Sequence, residues 1–62
     1  MKLKELRFRN GVTQYDVMLK TGIPQPVVSL IERGYRAPNE DERRRIAKIF
    51  KVRPEEIEFE AR

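Results

Sequence analysis

Two prolines and two glycines confine the middle of this 62-residue chain more tightly than any other feature. Pro24 and Pro26 would break a helix interior, because each lacks an N–H and its ring clashes with the preceding turn. In the first helical turn both are tolerated, since the N–H groups there have no partner within the helix. A helix through Gln25 must therefore begin within a residue or so of it. Gly34 is a stop signal at the other end. The segment between them, about residues 25–33, reads as a short helix with Val28 and Ile31 inward. Gly22, just upstream, supplies the positive φ of a tight turn.

The remaining punctuation divides the chain in the same manner, and helical periodicity fits each piece better than strand alternation. A first segment runs from about Lys2 to Arg9 with Leu3 and Leu6 on one face, and ends at Asn10-Gly11. A second opens at Thr13, whose hydroxyl can cap the helix while Asp16 caps in return, and ends near Lys20. A fourth begins after Pro38, with Asn39 as cap and Glu42 closing the box; Arg43, Ile46, Ala47 and Phe50 share its inner face. A last turn starts around Pro54 and carries Ile57 and Phe59. The expectation is an all-α fold, a compact bundle of five short helices forming one domain over residues 1–62.

With no cysteine and no histidine, neither a disulfide framework nor a structural zinc site is expected, so packing and ion pairs must hold the bundle. The same absence removes the commonest general base and thiol nucleophile. There is no Gly-rich phosphate loop and no acid pair in a setting that would tune pKa values. Neither enzymatic activity nor a cofactor is expected. No apolar run approaches the roughly 18 residues of a membrane span, and the N-terminus lacks a signal-peptide core. The chain reads as soluble and cytoplasmic, with no membrane partner.

The net charge of +4 is unevenly placed. Residues 1–36 hold seven Lys and Arg against three acids, whereas residues 37–62 hold seven of each. One basic half beside one balanced half is what a domain with a single face toward polyphosphate would show. A solvated basic surface with no partner would show it as well.

In order and spacing, Thr13-Gln14, Gly22-Ile23, Val28, Ile31-Glu32-Arg33-Gly34 and Pro38 resemble the lambda-repressor-like helix-turn-helix family, the Cro and XRE type. Ile46-Ala47 and Phe50-Lys51-Val52 continue the resemblance, which runs from Leu3 through Ile57. It implies a helix-turn-helix from about Thr13 to Arg33 that binds double-stranded DNA, as a small transcriptional regulator would. A helix about 10–12 Å across matches the major groove. With Val28 and Ile31 turned inward, the opposite stripe of the third helix is Gln25, Pro26, Ser29, Leu30 and Arg33. Gln25 is the best candidate for a base contact, since its amide can donate and accept at once, as adenine requires; the resemblance agrees. Pro26, Ser29 and Leu30 complete the expected base-facing set. Leu30 has two places open to it, against thymine methyls in the groove or rotated into the core.

Around that helix, Gln14 resembles the family residue that clamps a phosphate at the N-terminus of the second helix. Arg33, Tyr35 and Arg36 should flank the sugar-phosphate track and set affinity rather than sequence preference; packing on the fourth helix is the other place for Tyr35. The resemblance also implies a buried ion pair between Arg7 and Glu32, which would orient the third helix without touching DNA. Arg43-Arg44-Arg45 could form a second DNA-binding patch, but a solvated helix face is the preferred reading, because Glu40 and Asp41 stand four residues before Arg44 and Arg45.

The chain departs from the family pattern at several points. Pro24 stands where Ser or Thr is usual, Met18 where Ala is, Thr21 where Leu is, and Arg43 where a core Leu is. Phe8, Tyr15 and Leu19 occupy positions that are usually polar, and together could form a patch for a partner protein. One short recognition helix touches few base pairs, so a homodimer on two half-sites is expected, with Ile57 and Phe59 as its contact residues; the domain's own core is the other place for both. The competing reading is a protein-interaction module of the same fold, coactivator-like or antitoxin-like, without strong sequence-specific DNA binding.

Overall fold

The computed structural model of the chain describes residues 1–59. Four α-helices follow one another, α1 (Leu3–Asn10), α2 (Gln14–Thr21), α3 (Gln25–Glu32) and α4 (Glu40–Phe50). Two of them start with reciprocal caps. At α2 the Thr13 hydroxyl accepts the Asp16 N–H at 3.0 Å, and the Asp16 carboxylate accepts the Thr13 N–H at 2.9 Å. At α4 Asn39 and Glu42 make the same exchange at 2.8 and 2.9 Å. The start of α3 has no side-chain cap. There the Pro24 carbonyl accepts from Val27 and Val28 at 2.9 and 3.0 Å, and Pro26 brings no N–H to satisfy.

The expected fifth helix is corrected to a single 3-10 turn, Pro54–Glu56. Forming a helical turn fixes several dihedrals for one hydrogen bond, so a stretch this short gains little by continuing. The chain instead extends. Glu58 donates its N–H to the Met1 carbonyl at 2.8 Å and forms an isolated parallel bridge with Lys2. The extended backbone carries Ile57 into the core and packs half-buried Phe59 against it. Of the two places open to Ile57, a second copy or the core, it takes the domain's own core and is only 5% exposed.

The core is formed by Leu3, Leu6, Val17, Ile23, Val28, Ile31, Ile46, Ala47 and Ile57, drawn from every helix. Arg43 is exposed rather than on the inner face of α4. It lines a surface cleft with Glu40, Arg44, Pro54 and Glu55, where its charge stays hydrated beside two carboxylates. Thr21, in contrast, is buried. Its hydroxyl donates to the Val17 carbonyl at 2.6 Å and accepts from the Ile23 N–H at 3.2 Å, so no polar atom is stranded. Among the described residues, no helix is long and apolar enough to cross a membrane.

Candidate nucleic-acid interface

The geometry of the candidate interface is set at Gly22, which closes α2 with φ 78 and donates to the Met18 carbonyl at 2.8 Å. A Cβ built there meets nothing within 4 Å, so glycine is required by the backbone conformation and not by space. The chain turns, Ile23 plugs into the core, and α3 begins two residues later.

The two faces of α3 are distinct. Val28 and Ile31 are 0% and 2% exposed. On the opposite side Gln25 and Pro26 are exposed, as is Arg33 just past the helix, while Ser29 and Leu30 are half-buried. Leu30 therefore neither joins the core nor stands clear of it. Its carbonyl accepts the Tyr35 N–H at 2.9 Å, and Gly34, with φ 80, turns the chain away immediately after the helix.

One buried cluster ties three helices together. Arg7 on α1 pairs with Glu32 on α3 through Nε, and its Nη2 donates to the second carboxylate oxygen at 3.0 Å. Its Nη1 donates to the Val12 carbonyl at 3.1 Å. The side chains of Arg7 and Glu32 are 9% and 5% exposed. Glu32 also accepts from Gln14 Nε2 at 3.1 Å, which brings in α2. Gln14, expected on the phosphate track, is thus half-buried and held by one amide hydrogen. The other hydrogen of that amide has no protein acceptor among the described residues, so the side chain can still donate outward from a fixed position.

The cations beyond α3 are not alike. Arg33 is exposed and lies over the Tyr35 ring at 5.4 Å. Arg36 forms a two-pronged salt bridge with Glu42, Nη1 to Oε1 at 3.1 Å and Nη2 to Oε2 at 3.2 Å. Burial pushes the Glu42 carboxyl upward, but the Asn39 N–H and the Arg36 guanidinium outweigh it and hold the group below its ordinary value. On α4, Asp41 pairs with Arg44 at 3.8 Å and with Arg45 at 2.9 Å, which accounts for two of the three consecutive arginines within the helix.

Away from α3, Phe8 is the most exposed large apolar side chain at 69%, with Lys4 and Arg7 over its ring at 5.8 and 5.3 Å. Tyr15 and Leu19 stand on α2 at 52% and 63% exposed.

A family model described as helix-turn-helix matches residues 3–57, nearly the whole chain and the whole of this geometry. The chain belongs to the Cro/C1-type helix-turn-helix family. No curated protein matches the chain, and no solved structure does. The family is one of DNA-binding transcription regulators and not of enzymes, so the chain is a DNA-binding regulator in the general sense.

Three contacts of this structure carry no signal in the sequence. Gln14–Glu32 is one and Arg36–Glu42 another, since the spacing of Glu42 signals only a helix cap. The third joins Arg45 Nη1 to the Thr21 carbonyl at 3.1 Å, satisfying one of the unpaired carbonyls that end α2. Residues 24 apart in sequence carry no local signal of such a contact.

Proposed function

We propose that the chain reads a specific double-stranded DNA sequence by laying α3 in the major groove, and that it does so as a homodimer. The observation that carries this reading is the division of α3 into a buried stripe and an outward stripe led by Gln25. Gln25 stands in the first turn of a helix preceded by a sharp turn, where a side chain reaches base edges first. Its amide offers the donor and acceptor that adenine matches. Pro26, Ser29 and Leu30 follow on the same stripe and offer mostly apolar contact, suited to thymine methyls. Gln14, held by Glu32, and Arg33 with Tyr35 flank the stripe and supply contacts to phosphate.

Selection from a random duplex DNA pool near physiological salt tests the reading. The expected product is a palindrome whose half-site centres lie about 10 base pairs apart. Retention without a consensus would mean binding driven by phosphate alone. The exposed Phe8, Tyr15 and Leu19 favour a second reading, a protein-interaction module on the same fold. That reading predicts no retention of duplex even at low salt.

A further inference from the structure

We propose that Arg36 is a positioning residue for DNA binding and not a phosphate ligand, holding the segment that presents Arg33 and Tyr35. The inference rests on the DNA-binding reading above and assigns a role within it. Three features carry it. First, both outer nitrogens of the guanidinium are engaged by the two oxygens of one carboxylate, at 3.1 and 3.2 Å, which is the strongest geometry an Arg–carboxylate pair adopts. Second, the carboxylate is fixed. Glu42 is only 15% exposed in its side chain and also accepts the Asn39 N–H at 2.9 Å, so it cannot swing aside when DNA arrives. If Arg36 left for a phosphate, it would strand a carboxylate at the start of α4 with only its cap to hold it. As long as the pair is intact it carries no net charge, and a neutral pair releases no counterion from the duplex.

Third, the segment from Arg33 to Asn39 is tied at its ends, and Arg36 adds a tie between them. The Tyr35 N–H is held by Leu30, Pro38 is buried, and Asn39 caps α4. Arg36 lies between these anchors and fastens the segment to α4. Arg33 differs in each respect. It is exposed, has no carboxylate partner among the described residues, and is backed by the Tyr35 ring.

The test is the affinity of the full chain for a random-sequence duplex pool, measured as a function of salt at a temperature where circular dichroism shows each variant folded. Arg36→Ala should weaken binding about fivefold, alike for all sequences, with the slope of log affinity against log salt unchanged. Glu42→Gln should reproduce that loss, and the double variant should add little to either single one. Arg36→Lys, which keeps the charge without the fork, covers the case in which Arg36→Ala does not fold; it should weaken binding at the same slope. Arg33→Ala should reduce the slope by about 0.9. A slope reduced by that amount in Arg36→Ala would make Arg36 a phosphate ligand and overturn the proposal. Unchanged affinity in folded Arg36→Ala and Glu42→Gln would leave the pair with a structural role alone, and would overturn it too. If the wild-type chain retains no duplex at low salt, the DNA-binding reading fails first and takes this proposal with it, an outcome visible before any variant is made.

Discussion

Single side chains in this domain act either by reading or by holding, and the two kinds should fail differently when removed. Gln25 is the proposed reader: it is exposed, and nothing in the core depends on it. Gln25→Ala should leave thermal stability nearly unchanged and weaken binding at one or two base positions by about 1–3 kcal/mol. Quantitative binding to a panel of single-base variants of the selected site would check this, and an unchanged preference would place the reading face elsewhere. Glu32 is a holder. Its carboxylate receives Arg7 and Gln14 together, so removing it leaves a buried guanidinium without its partner and an amide without its anchor. Glu32→Ala should cost about 3–5 kcal/mol. That is comparable to the whole margin of a domain this size, about 3–9 kcal/mol, so urea denaturation should show most of the fold's stability gone. Replacing both Arg7 and Glu32 with apolar residues of similar volume should cost far less than Glu32→Ala, because no buried charge is then left alone.

At the scale of elements, α2 and α4 are each started by an acid that must be ionised to cap. Backbone and hydroxyl hydrogen bonds from Thr13 hold the Asp16 carboxyl below its ordinary 3.8. Burial raises Glu42, but Asn39 and Arg36 outweigh it and hold the group below 4.5. An acid whose pKa is depressed on folding contributes stability that is complete above the unfolded value and is lost as pH falls through the folded one. The midpoint of thermal unfolding should therefore be flat from neutrality to about pH 5 and fall steadily below about 4.5; Glu42→Gln should make that fall shallower, as a pH series by circular dichroism would show. Both boxes were legible in the sequence because a cap and its partner stand three residues apart. So was the start of α3, because two prolines leave it only one place. The fifth helix was not. Pro54 signals a helical start equally well for one turn or three, and what stops it is the pairing of Glu58 with Met1, a contact across the whole chain. Arg43 was misplaced for a related reason. Its spacing matches the inner stripe of α4, but periodicity cannot tell that Glu40 and Glu55 would offer it a hydrated site at the surface. Arg36–Glu42 and Arg45–Thr21 were illegible for the same cause, since both depend on how helices meet.

The dimensions of the molecule bear on how two copies would share one site. The proposed recognition helix, α3, has eight residues, about 12 Å of helix, enough to face only three or four base pairs. So little sequence cannot single out a site among genomic competitors, and a second half-site has to supply the rest. Half-sites one turn apart put two domains about 34 Å from centre to centre. The domain measures 26 × 22 × 20 Å, so two of them at that spacing leave roughly 8 to 14 Å between their envelopes for side chains to bridge. With Ile57 withdrawn into the core, Phe59 is the remaining member of the expected contact pair, and it is itself half-buried. The expected pair therefore leaves one half-buried side chain for the contact, little to hold two copies together in the absence of DNA. The domain should sediment as a monomer at micromolar concentration and pair only on DNA. Spacing then becomes the decisive variable. Inserting about 5 base pairs between the half-sites turns one of them to the far side of the duplex and should reduce affinity to that of a single half-site. An insertion of about 10 restores the facing but doubles the centre-to-centre distance, so two copies should both bind yet lose their cooperativity. Mobility shifts on the three spacings separate this from a monomer that reads one half-site, for which all three would bind alike.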